Sequence, residues 1–97
     1  MEQFFLEKTV DEAHRQNGMN RLWELDKFPF KVRIGEVARK KGVVFYWTVF
    51  GSLNPKDEPL KHGKETDFDG AVHSSLEAIK PILLDLEAWL KYAAELR

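Results

Sequence analysis

No cysteine occurs in the 97-residue chain, which removes a disulfide framework, a thiolate zinc site and a cysteine nucleophile from consideration. Such a composition is compatible with an intracellular setting. No apolar run approaches the ~20 residues a membrane-spanning helix needs, and the start MEQFFLEKTV lacks the basic opening and long apolar centre of a secretory signal. The expectation is a cytoplasmic protein with no membrane partner. An excess of one charge is also missing: the formal net charge of -1 argues against a uniformly basic nucleic-acid binder.

The signatures of catalysis are equally sparse. Ser52, Ser74 and Ser75 are the only serines and none lies in G-x-S-x-G, while Gly51, Gly63 and Gly70 stand singly and form no phosphate-cradling loop. His14, His62 and His73 match no H-E-x-x-H spacing. His62 and His73 could meet Asp67 and Asp69 in a folded 52–73 loop, giving a small enzyme or metal site, but metal binding needs three or four convergent ligands and nothing here fixes them. The fragment DFDG echoes the start of a calcium loop without its later glutamate, and helix capping by Asp69 accounts for it more simply. The sequence therefore assigns no catalytic residue, no metal and no cofactor.

What is present is a globular balance of apolar and charged residues, read as one α+β domain over residues 1–97. Its most β-prone stretch is Val43 to Phe50, VVFYWTVF, which is apolar on both faces. Val43, Phe45, Trp47 and Val49 point one way; Val44, Tyr46, Thr48 and Phe50 point the other. Upstream, Phe30, Val32 and Ile34 alternate with Lys31 and Arg33 as a strand with one face on the core. The phase slips after Gly35, where a bulge at Gly35 or Glu36 is expected. Arg39 to Gly42 then forms a tight turn, so a β-hairpin is the central expectation.

Around this hairpin the reading places an N-terminal helix from about Gln3 to Asn17, stopped by Asn17-Gly18. A later start, with Thr9 as cap and Glu12 completing a capping box, would instead leave Phe4, Phe5 and Leu6 as a hydrophobic arm. Met19 to Phe28 suggests another helical turn or two before Pro29. A third strand around Leu60 to Thr66 or a long loop follows. The last segment is the clearest helix: Leu76, Ile79, Leu83, Leu86, Leu90 and Ala93 recur at spacings of three and four, flanked by Ile82, Trp89 and Leu96. Ser74 and Glu77 offer a capping box at its start, and Pro81 predicts a kink. From Ser74 onward it would span about 35 Å, longer than the ~13 Å radius of gyration of a compact domain readily covers, so an overhang, or a bend at Pro81 that follows the sheet, is expected.

The architecture expected is thus α+β: an N-terminal helix, an antiparallel β-hairpin or three-stranded meander, and a long kinked C-terminal helix packed on the sheet. Functionally the surplus of apolar surface favours a non-enzymatic protein-interaction or regulatory module, a homodimer or docking protein, with Tyr46, Phe50, Trp89, Tyr92 and Leu96 as interface candidates. Candidate internal covers for the second strand face are Phe4, Phe5, Leu22, Trp23 and Leu25. The competing reading is nucleic-acid binding by the basic stretch 27–41, with Lys31, Arg33, Arg39, Lys40 and Lys41 on phosphates and Tyr46 or Trp47 on bases.

Overall fold

A computed structural model describes residues 4–52 and 58–95. Its elements, in chain order, are β1 (Leu6–Lys8), α1 (Glu12–Gln16), β2 (Met19–Lys27), β3 (Phe30–Arg39), β4 (Gly42–Gly51), β5 (Pro59–Glu65) and α2 (Phe68–Glu95). The strands form one antiparallel meander in sequence order, β1-β2-β3-β4-β5, and α2 packs across one face. The α+β class and the C-terminal helix on the sheet match the sequence reading; the sheet has five strands rather than two or three.

The central hairpin forms as expected. β3 and β4 pair from Phe30↔Gly51 to Arg39↔Gly42, leaving Lys40 and Lys41 as the turn. Gly42 has φ 133, a backbone angle side chains disfavour, which explains glycine there. Residues directly opposite share a face, so Ile34, Trp47 and Trp23 form one row beneath α2, and Val32, Val49 and Leu25 another. Phe45, Trp47 and Val49 join Val72 and Ile79 of the helix in the core. A Cβ at Gly63 would lie 2.6 Å from the Trp47 ring, so the indole occupies space that only glycine leaves open.

Four expectations are corrected. The N-terminal helix does not run from Gln3: residues 6–8 are a strand, and α1 covers only Glu12–Gln16. Its cap is Asp11 rather than Thr9, the Asp11 carboxylate accepting from the His14 backbone N–H at 2.9 Å. Hydrogen bonding to β2 takes precedence over helix propensity here, reinforced by the Arg21 guanidinium donating to both oxygens of Glu7 at 3.2 and 2.7 Å. The predicted stop is correct, since Gly18 follows α1 with φ 94.

Secondly, residues 19–27 are strand rather than helical turns. Trp23 and Leu25 face α2, whereas Leu22 pairs opposite Gly35 on the other side, so apolar residues on both faces blur the alternation. Thirdly, β3 carries no bulge against β4; the irregularity lies on β2 between Met19 and Arg21. The apparent phase slip has another cause. Val37 is buried on the face opposite α2, beneath Gly18 and Met19, while Glu36 keeps the alternation on the helix side. Fourthly, α2 begins at Phe68 and is capped by Asp67, whose carboxylate accepts from the Gly70 N–H at 2.6 Å; neither Ser74 nor Asp69 is the cap. Ser74 lies inside the helix and donates to Glu65 of β5. β5 itself realises the expected third strand almost residue for residue.

α2 continues through Pro81 to Glu95, 28 residues or about 42 Å of helix. Its buried residues are Ala71, Val72, Ser75 and Ile79, all in its first half. The molecule consequently measures 57 × 25 × 22 Å.

Candidate interaction surfaces

Two surfaces stand out, one apolar and one basic, on opposite sides of the sheet. The apolar one follows from helix geometry. Ile79, Ile82, Leu83, Leu86, Trp89 and Leu90 lie on one stripe, because residues three and four apart stack on one face. The stripe is continuous but its cover is not: Ile79 is 6% exposed beneath the sheet edge, whereas Trp89 is 67% and Leu90 72% exposed. Leu83 and Leu86 are also exposed, and Leu84 and Tyr92 extend the apolar area off the stripe. The Trp89 and Tyr92 rings meet edge to face with centroids 5.8 Å apart.

Where the helix leaves the sheet, a groove opens between its inner side and the β2–β3 turn. It is lined by Leu25, Phe28, Phe30, Leu76, Ile79 and Leu83, among others. Phe28, at the tip of that turn, is 69% exposed. Leu83 belongs both to the groove and to the exposed stripe, so the overhang adjoins the groove.

The basic surface is the sheet face turned away from α2. Register places Arg33, Thr48 and His62 in one row and Gly35, Tyr46 and Lys64 in the next, with Lys31 opposite Phe50. Arg39 lies on this same side: its Nη2 donates to the Tyr46 hydroxyl at 3.2 Å and its guanidinium sits 5.3 Å from the ring centroid. Arg33 stacks over Phe50 at 5.2 Å and donates to Glu24 at 3.1 Å. Toward β1 and β2 the face is covered by α1, with a cleft between them lined by Val10, His14, Met19, Leu22 and Arg33. Met19 fills the space above Gly35, where a Cβ would fall 2.7 Å from its terminal methyl.

No family model, curated protein or solved structure matches the chain.

The predicted residues divide between these surfaces. Trp89 and Tyr92 are on the overhang; Leu96 lies outside the described residues. Tyr46 is half-buried on the basic face, and Phe50, 8% exposed under Arg33, is not available as an interface residue. Phe5, Trp23 and Leu25 pack on the α2 side, so they do not cover the second face; Leu22, with Val10 and Met19, does part of that work. Lys31, Arg33 and Arg39 share one face, while Lys40 and Lys41 occupy the turn beyond it. Trp47 is buried beneath α2, which removes it as a base-stacking candidate.

Residues 58–73 do not form one loop. His62 is on β5 opposite Thr48, and His73 is on α2, 4.0 Å from Glu77. Among the described residues no group of three or more His, Asp or Glu side chains is placed to hold a metal ion. Nor is any helix among them long and apolar enough to cross a membrane. Sequence reasoning missed Lys64 and His62 as neighbours of Tyr46, and Phe28 as a groove residue. Only strand register brings the first two to Tyr46, and only the turn geometry exposes the third.

Proposed function

We propose that the chain is a non-enzymatic interaction module that pairs with a second copy of itself through the overhanging half of α2. The observation that carries this reading is the continuity of the stripe from sealed Ile79 to bare Leu90. Six large apolar side chains from Leu83 to Tyr92 are 43% to 72% exposed. Fully burying one such side chain contributes ~1.5 to 3 kcal/mol, so leaving all six wet would forgo an amount comparable with the ~5 to 15 kcal/mol that stabilises a whole domain.

Area argues for a second copy as the cover. A lone monomer rarely exposes a contiguous apolar patch above a few hundred Å², and a stable interface buries ~800 Å² per partner. The overhang adjoins the groove at Phe28 and Phe30, so each copy offers both a ridge and a concavity. Antiparallel pairing of two overhangs sets Leu86 of one copy against Leu90 of the other, and the two-fold repeats that contact, as an isologous interface requires.

Light scattering coupled to size exclusion at micromolar concentration tests the reading. The expected result is a dimer that becomes monomeric in the Leu86→Glu, Leu90→Glu double variant with its helix content unchanged. A monomeric parent protein would overturn the proposal, and a dimer that survives both substitutions would place the interface elsewhere.

A further inference from the structure

The sheet face away from α2 serves a different purpose, because its cover is incomplete and its chemistry is not apolar. On β3, β4 and β5 it presents Lys31, Arg33, Arg39, Lys64 and His62 around Tyr46 and Thr48. No carboxylate of these three strands shares the face: Glu36 pairs opposite Phe45 on the helix side, and Glu65 is held by Ser74 of α2. Carboxylates flank it on the β2 side: Glu24 and Asp26 stand opposite Arg33 and Lys31, and Asp11 lines the cleft beside Glu24 and Arg33. Among the described residues, Arg33 alone of the four Lys and Arg side chains has an ion-pair partner, Glu24. Lys40 and Lys41 extend the positive surface beyond the turn. In a chain of net charge -1, this concentration means that positive charge has been sorted to one face.

We infer that this face is a binding surface for single-stranded nucleic acid, with Lys31, Arg39 and Lys64 contacting phosphates and the Tyr46–Arg39 stack receiving a base. Charge alone would equally suit an acidic protein segment. Two features favour the nucleic acid. The guanidiniums of Arg33 and Arg39 lie over aromatic rings, 5.2 and 5.3 Å from the centroids, which pre-forms flat π surfaces that a base extends and a carboxylate does not use. Tyr46 is also central, directly opposite Lys64 on one side and Gly35 on the other, so a stacked base would sit beside a cation that reaches its phosphate. Open sheets that pair aromatic platforms with flanking cations are one of the recurring solutions for unpaired bases. This assignment does not depend on self-association, since the overhang lies on the opposite side of the sheet.

The test is fluorescence anisotropy with a labelled mixed-sequence single-stranded DNA, and with the RNA of the same sequence, between ~50 and ~200 mM salt. Binding is expected at the low end, and its logarithm should fall with a slope near -0.7 per phosphate contact, giving about -2 for three lysine or arginine contacts. Lys64→Glu should weaken binding about fivefold or more. Lys80→Glu, the same change in net charge on the exposed side of α2, should weaken it less than about twofold. Tyr46→Phe should retain affinity within about twofold and Tyr46→Leu should lose about fivefold or more, because stacking needs the ring and not the hydroxyl. Far-UV circular dichroism of each variant confirms that the fold is kept. No binding of either strand at low salt would overturn the inference, as would equal losses in the Lys64 and Lys80 variants. Competition by polyglutamate as effective as by unlabelled DNA would also overturn it, in favour of an acidic protein partner, and tighter binding of the duplex would exclude the single-strand assignment.

Discussion

The first turns of α2 and its last turns carry the same apolar stripe, but they have opposite fates. Ala71, Val72, Ser75 and Ile79 are buried against β3, β4 and their neighbours, whereas Leu83, Leu86, Trp89 and Leu90 extend beyond the sheet. Helical periodicity reports only that a face is meant to be covered. What covers it depends on where the sheet ends, and the sheet ends near the Phe28–Pro29 turn.

The largest effect that distinguishes the two halves is loss of a core side chain. Ile79→Ala is expected to cost ~2 to 5 kcal/mol in urea denaturation, because the deleted atoms leave a cavity that the sheet does not collapse to fill. This cost should be the same at every protein concentration. Leu90→Ala deletes the same number of carbon atoms from an exposed position, and it should cost less than ~0.5 kcal/mol in dilute solution and more as concentration rises, since only the assembled state buries it. Equal and concentration-independent costs would show that the overhang is already sealed within one chain.

The next effect concerns the boundary. Pro81 sits two residues after the last buried position, is itself exposed, and offers no N–H to the Glu77 carbonyl four residues before it. Pro81→Ala restores that donor and a favourable residue in an exposed helix interior, so stability should rise by up to ~3 kcal/mol, read as a higher urea midpoint at unchanged slope. A lower midpoint would mean that Pro81 supports contacts within the chain, and the division into a sealed and a bare half would fail.

These two halves also show what could be read from residues alone. The long helix and the β3–β4 hairpin were legible because each repeats a simple period over many positions. β1 was not, since a three-residue strand has no period to display and forms only through its pairing with β2. β2 was hidden by having apolar residues on both faces: Trp23 and Leu25 under α2, Leu22 and Met19 under or beside α1. Val37 misled for the same reason, its burial marking a second covered face rather than a slipped register. Individual basic residues were visible on the hairpin, but their gathering with Lys64 and His62 around Tyr46 depends on pairing between β4 and β5, which no local pattern encodes.

The smallest expected effect is electrostatic, and it again differs between the halves. Just before Pro81, the Lys80 ammonium donates to Glu77 at 2.8 Å and holds that carboxyl below its ordinary value, first through the hydrogen bond and then through its charge, with His73 adding less. A lowered folded-state pKa stabilises the fold above the unfolded pKa and loses that contribution as pH falls through the folded value. Stability should therefore decline slightly as acidification protonates Glu77, and salt should blunt the effect because the pair is exposed. In Lys80→Ala the Glu77 titration, followed by carboxyl NMR, should move upward and the Glu77-linked loss on acidification should shrink to the smaller part that His73 supplies. On the overhang, Lys91 and Glu87 are 3.7 Å apart, too far for a hydrogen bond of that kind. A Glu77 titration that stays in place in Lys80→Ala would show that the 2.8 Å contact does not hold the carboxyl down, and that this end of α2 orders its surface charges no better than the overhang does.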